Sequence, residues 1–124
     1  MKKKPLAYLV EDNMDTVVIF QGALELAEYE VEVATDGAIA QKRLKEIVPD
    51  LIILDLHMPH VTGDVLLKQI RTDERLKEAR IFLATADANM ASQLSDDAEI
   101  VLLKPVGFTQ LRDLAKRFRP DKDN

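Results

Sequence analysis

The stretch Leu51-Ile52-Ile53-Leu54-Asp55-Leu56-His57-Met58-Pro59 constrains this chain more than any other. Four consecutive apolar residues run straight into a carboxylate, and a helix-breaking proline follows four positions later. An apolar run without alternation predicts a strand covered on both faces, as in a parallel sheet. Asp55 then stands at the carboxyl end of that strand, the edge where open α/β sheets gather their ligands. A buried carboxylate is costly unless a cation or hydrogen-bond donors accompany it, so other parts of the chain have to supply them.

Four further strands are predicted around this one. Leu6-Ala7-Tyr8-Leu9-Val10 is a short apolar run bounded by Pro5 and by Glu11-Asp12-Asn13. Asn13 or Asp15 can cap a helix running to about Tyr29, and Val17, Val18, Ile19, Phe20, Leu24 and Leu26 give it an apolar surface wider than one stripe. Val31 to Ala34 alternates and predicts an edge strand. Asp36-Gly37 turns the chain into a second helix over 38–48, with Ile39, Leu44 and Ile47 at helical spacing and Pro49 ending it. After Asp55, Pro59 to Gly63 forms a loop, and a helix starts near Asp64 with Val65, Leu66 or Leu67, and Ile70 facing inward. Ile81 to Thr85 is the fourth strand and Ile100 to Leu103 the fifth, ending in Lys104-Pro105. A short helix over 88–95, poor in apolar residues, separates them. Phe108, Leu111, Leu114 and Phe118 mark an amphipathic last helix. Five alternations of strand and helix predict an α/β fold with a five-stranded parallel sheet and helices on both faces, and the order 2-1-3-4-5 is the common solution.

The composition narrows the classes of function. The 124 residues suit one domain over 1–124, with its core from about 5 to 119. A formal charge of −5 argues against direct nucleic-acid binding, which needs a basic face. No apolar run reaches the length of a membrane span, and no signal-peptide pattern opens the chain. With no cysteine, disulfides and thiolate metal sites are excluded, and a cytoplasmic location is expected.

Four of the five predicted strands end in polar groups: Glu11-Asp12, Asp55, Thr85 and Lys104. A parallel sheet brings all these ends to one edge. Clustered carboxylates repel one another and call for a cation, and oxygen donors without a histidine or cysteine set suit Mg²⁺ or Mn²⁺. Mg²⁺ keeps part of its water and is commonly completed by a phosphate oxygen. A phosphoryl group is therefore the expected ligand, with Asp55 as nucleophile forming an aspartyl phosphate and with Thr85 and Lys104 on its oxygens.

These residues resemble the receiver domain of two-component response regulators. The resemblance rests on Glu11-Asp12-Asn13, Asp55 to Pro59 with Gly63, Thr85-Ala86, and Lys104-Pro105, and it spans nearly the whole chain. It implies the flavodoxin-like doubly wound fold, a phosphoacceptor at Asp55, and Mg²⁺ held by Glu11, Asp12, Asp55 and the main-chain carbonyl of His57. It also implies Thr85 as the switch hydroxyl, Lys104 as a phosphoryl contact and a cis Lys104–Pro105 bond. Expected partners are a sensor histidine kinase or a histidine-phosphotransfer protein and a downstream protein target. The chain is expected to be a stand-alone receiver, not an enzyme beyond its own phosphorylation and slow dephosphorylation. Neither the identity of these partners nor pairing into a homodimer is encoded in a motif. Three departures stand out: Glu11 where aspartate is more usual, Val101 where an aromatic is usual, and a short polar fourth helix.

Each residue also has a plainer reading. A lone aspartate after an apolar strand ordinarily caps a turn, Thr85 alone is a strand-end threonine, and Lys104 alone a solvated lysine. Their convergence is what gives them chemistry. His57 has no companion ligands and reads as a histidine at the pocket rim, while Asp87, two residues after Thr85, could orient a water. The apolar surface around Val17 and Val18 is either core or a docking face for a phosphotransfer or kinase domain. A haloacid-dehalogenase-type phosphatase needs a second carboxylate where His57 stands. A flavodoxin-like electron carrier needs a phosphate cradle where Glu11-Asp12-Asn13-Met14-Asp15 would repel one. A receiver-like adaptor that works without phosphorylation is the remaining alternative.

Overall fold

A computed structural model describes residues 3–120. Five strands, β1 (Leu6–Val10), β2 (Glu30–Ala34), β3 (Leu51–Asp55), β4 (Arg80–Thr85) and β5 (Ile100–Leu103), form one sheet in the order β2-β1-β3-β4-β5. Every pairing is parallel, with β3 in the centre, so the flavodoxin-like α/β reading holds. Five helices alternate with the strands: α1 (Met14–Leu26), α2 (Gly37–Arg43), α3 (Gly63–Arg71), α4 (Ala88–Leu94) and α5 (Phe108–Arg117).

The central strand explains the layering. All five residues of β3 are buried, and alternate side chains enter different cores. Leu51 and Ile53 join Ala7, Leu9, Phe82 and Leu102 beneath α1 and α5. Ile52 and Leu54 join Tyr8, Val10, Ile81 and Leu83 beneath α2 and α3. A strand that serves two cores must be apolar at every position, which is why its sequence does not alternate. The first core is locked at its rim, where the Tyr29 hydroxyl donates to the carbonyl of Ala115 at 2.7 Å. Phe118 also packs edge-on against Phe82, with ring centroids 5.5 Å apart.

The helices depart from expectation in several places. Helix α1 stops at Leu26 and does not reach Tyr29. Glu28 turns left-handed (φ 68°), its N–H donates to the carbonyl of Glu25, and the N–H of Tyr29 donates to that of Leu24. That pair of bonds is the Schellman motif that ends a helix, here without a glycine at the left-handed position. On α1, Val17, Phe20 and Leu24 are buried, whereas Met14, Val18, Ile19 and Leu26 are exposed. Helix α2 ends at Arg43, and Ile39 lies outward at 58% exposure, because Ala40 and Leu44 occupy the inward row. Val65 likewise lies outward at 47%, since Leu66, Leu67 and Ile70 fill the inner face of α3. A 3-10 turn over Glu74–Leu76 was not expected and buries Leu76. A second, Ser95–Asp97, follows α4.

Two glycines hold loops against the functional edge. A Cβ on Gly37 would lie 1.8 Å from the main-chain oxygen of Val61, and one on Gly63 would lie 2.4 Å from that of Asp55. Gly37 therefore lets the loop after β3 rest directly on the start of α2. At Gly107, the N-cap of α5, an added Cβ meets nothing within 4 Å. We expect Gly37→Ala to lower stability by about 1–3 kcal/mol, the range for overpacking at a backbone contact. Urea denaturation checks this, with Gly107→Ser, which keeps a capping residue, expected to leave the midpoint in place or raise it.

Candidate functional site

The functional edge is assembled by main-chain pairing that continues beyond the strands. The N–H of Glu11 donates to the carbonyl of Ala34 at 3.0 Å, which carries β1 one residue past Val10. The N–H of Leu56 donates to Ala84 at 3.2 Å, and that of Lys104 to Thr85 at 2.8 Å. Sequence-distant residues 11, 55, 85 and 104 are thereby held at one edge.

Two of the carboxylates are deeply buried, Glu11 at 1% exposure and Asp55 at 3%, while Asp12 is exposed beside them. Each of the three offers a carboxylate oxygen, and these oxygens lie within 4.8 Å of one another. Among the described residues, one ammonium serves the buried pair. Lys104 Nζ is 2.9 Å from Glu11 Oε1 and 3.5 Å from Asp55 Oδ1. Glu11 Oε2 accepts the N–H of Asn13 at 3.1 Å, and Asp55 Oδ1 accepts that of His57 at 3.0 Å. Burial pushes the Asp55 carboxyl up to about 7; the His57 N–H works against that shift, Glu11 adds to it, and Lys104 opposes it. Burial works against the charge on Lys104, but its hydrogen bond to Glu11 and the charge of Asp55 outweigh that and hold its pKa above the ordinary lysine value.

This arrangement fits a divalent cation. Three oxygen donors converge, two of them buried, and one lysine leaves their charge incompletely balanced. The side chain of His57 is exposed at the rim, and among the described residues the side-chain donors that converge here are the three carboxylates.

Thr85 is fully buried at the end of β4, and its Oγ1 accepts the N–H of Asp87 at 3.0 Å. Asp87 is the N-cap of α4, its Oδ1 accepting from Asn89 and Met90. The Lys104–Pro105 bond is cis, as expected. Val101 is half-buried and packs on the core with Met90 and Leu94.

One contact had no signal in the sequence. His60, with a left-handed backbone (φ 70°), places Nδ1 2.5 Å from Asp36 Oδ2, while Asp36 Oδ1 caps α2. The loop carrying His57 is thus tied to α2 by this pair and by the Gly37–Val61 contact. Asp36-Gly37 reads locally as a turn, and nothing near it points to residue 60.

Against this geometry, the family model described as response regulator receiver domain matches residues 7–116. The chain belongs to the response regulator receiver domains. It is 33% identical over 112 residues to the sensor histidine kinase TmoS of Ectopseudomonas mendocina, covering 88% of this chain but 11% of that protein. The chain spans only a small part of the length of the first curated relatives that it matches. Among solved structures, the chemotaxis response regulator CheY4 of Vibrio cholerae superimposes with a TM-score of 0.84 at 26% identity, covering 94% of this chain and 99% of that one. The response regulator TrrA of Thermotoga maritima, in complex with Mg(2+)-BeF, gives 0.81 at 29% identity, covering 92% and 98%. As a receiver domain, the chain is a component of two-component signalling, and its acidic cluster is compatible with the divalent-metal site of that family.

The raised Asp55 carboxyl makes a prediction for the metal-free receiver domain. Asp55 holds its proton more tightly in the folded chain (about 7) than at its ordinary value of 3.8, so its contribution favours folding at low pH and is lost as pH rises through 7. Without metal, Asp55→Asn is expected to melt above wild type at pH 8, with the gap narrowing toward pH 4. A wild type at least as stable as Asp55→Asn at pH 8 would show that Asp55 carries no such penalty. Mg²⁺ is expected to raise the wild-type midpoint and to do little for Asp55→Asn.

Proposed function

We propose that this receiver domain accepts a phosphoryl group on Asp55 from a partner phosphohistidine, in a reaction that requires Mg²⁺. The observation that carries this reading is the convergence of Glu11, Asp12, Asp55, Thr85 and Lys104 on one sheet edge, with Glu11 and Asp55 buried there. A carboxylate oxygen of Asp55 attacks phosphorus, the P–O bond forms as the P–N bond breaks, and the electron pair stays on the departing imidazole. Glu11, Asp12 and Asp55, with the main-chain carbonyl of His57, would hold the metal. When bound, Mg²⁺ (or Mn²⁺) neutralises charge on the phosphoryl oxygens. Lys104 is already placed between the two buried carboxylates and can shift to a phosphoryl oxygen, while the Thr85 hydroxyl donates to another. The solved Mg(2+)-BeF complex of TrrA supports a site of this kind on the same fold.

The proposed donor is a sensor histidine kinase or a histidine-phosphotransfer protein, in keeping with the kinase relatives. Its docking face would include Met14 and Val18, which project from α1 just beyond Glu11-Asp12-Asn13, with Val18 at 69% exposure. Phosphorylation would shift a two-state equilibrium and so change contacts with a downstream protein or pass the group onward. In this reading the chain is a kinase substrate that slowly loses its own phosphoryl group, and it acts in the cytoplasm, where donor and Mg²⁺ meet.

Incubation with Mg²⁺ and a small phosphodonor is expected to add the mass of one phosphoryl group to wild type and none to Asp55→Asn, and chelation should abolish uptake. Equal labelling of both proteins contradicts the assignment. Val18→Asp is expected to slow transfer from a phosphohistidine protein at least tenfold while leaving uptake from the small donor unchanged. An unchanged protein-to-protein rate would remove α1 from the docking face.

A further inference from the structure

Among the described residues, two that are not glycine adopt a left-handed backbone, and they serve different ends. Glu28 closes α1. His60 (φ 70°) lies in the loop after Asp55, where the N–H of Val61 donates to the carbonyl of Pro59 at 2.9 Å. A bond between those two residues makes a γ-turn centred on His60, and a positive φ there marks the rare, strained form. Glycine adopts such a backbone without that cost, yet this chain places a histidine there. What the position gains is a side chain. Its Nδ1 sits 2.5 Å from Asp36 Oδ2, and this bond is the main cause holding the Asp36 carboxyl below its ordinary value.

The segment 57–60 is held at both ends. At its start, the N–H of His57 donates to Asp55 Oδ1 at 3.0 Å. At its end, His60 is bonded to Asp36, whose other oxygen caps α2 by accepting from Ala38 and Ile39. Between them Pro59 has a fixed φ, and the base of the loop is closed by the N–H of Gly63 donating to the carbonyl of Leu56 at 3.3 Å. Asp64, in the same loop, bonds to Thr62 instead, and among the described residues Asp36 is the carboxylate within ion-pair reach of His60. If the pair served stability alone, the strained turn would work against it.

We propose that Asp36 and His60 are positioning residues for the metal site, their bond fixing the turn over 59–61 and with it the direction of the His57 carbonyl. This rests on the Mg²⁺ site proposed above, in which that carbonyl is a ligand. Neither side chain touches the metal. Groups that orient a ligand from outside commonly change metal affinity about 10- to 100-fold when removed. Here the orientation is passed through the main chain and concerns one ligand of several, so the lower end of that range is expected.

Calorimetric titration of the unphosphorylated protein with Mg²⁺, alongside its metal-free melting temperature, tests this. His60→Gly relieves the turn and removes the bond, and is expected to weaken Mg²⁺ binding about tenfold with little change in metal-free melting. Asp36→Ser keeps a cap on α2 but is too short to reach His60, and is expected to weaken binding by the same factor. The double variant is expected to bind no more weakly than either single one, because both remove the same bond. His60→Asn tolerates the left-handed backbone and carries an amide donor where the imidazole Nδ1 stands, and is expected to keep most of the affinity. Wild-type affinity in His60→Gly or in Asp36→Ser overturns the inference and leaves the Asp55 reading standing. Multiplied losses in the double variant, or a loss in His60→Asn as large as in His60→Gly, overturn it as well. Absence of Mg²⁺ binding in wild type overturns both this inference and the metal site it rests on.

Discussion

Two carboxylates, Glu11 and Asp55, lie buried beside one ammonium, Lys104, and much of the structure is arranged around that unequal trio. Removing the carboxylates from water is costly, and a single lysine at 2.9 and 3.5 Å offsets it only in part. The excess negative charge makes the site receptive to a divalent cation. Bringing residues 11, 55 and 104 together requires strands that all end on one side, hence a parallel sheet. A parallel sheet requires crossover connections, and these place helices on both faces. The fully buried β3 is the consequence, and it presents Asp55 at its end.

The ends of the strands and the middle of the molecule differ in how tightly they are held. β3 lies between two neighbours and two cores, and glycines at 37 and 63 let the loops close onto its end without space to spare. Around Asp55 the frame is therefore stiff. α4 is the opposite case, a short helix with one buried residue, hung from a cap that is itself bonded to Thr85. A close-packed carboxylate and a weakly secured helix thus stand at the same edge of the sheet.

The sheet was legible in the sequence because its inner strands β1, β3 and β4 answer to one requirement, burial on both faces, while alternation marks β2 as an edge. The convergence of residues 11, 12, 55, 85 and 104 followed from apolar runs that end in polar groups, and the order β2-β1-β3-β4-β5 is the common solution for such an alternation of strand and helix. Helix faces were less legible. Where apolar residues stand side by side, as at Val17-Val18-Ile19-Phe20 or Val65-Leu66-Leu67, each step turns 100° around the axis, and the tertiary neighbours decide which residue goes inward. Val65, expected inward, lies outward for that reason. The His60–Asp36 pair, the Gly37–Val61 contact and the Schellman motif at Glu28 depend on backbone geometry and on residues distant in sequence, for which no local pattern exists.

In the proposed function Asp55 carries the phosphoryl group, as distinct from the histidines at positions 57 and 60. Borohydride reduction of the phosphorylated protein, followed by peptide mapping, tests this directly, because an acyl phosphate on aspartate is reduced to homoserine whereas a phosphohistidine is not. The account predicts homoserine at position 55 and at no other carboxylate. Retention of the phosphoryl group on His57 or His60, or reduction at Glu11 or Asp12, would contradict it.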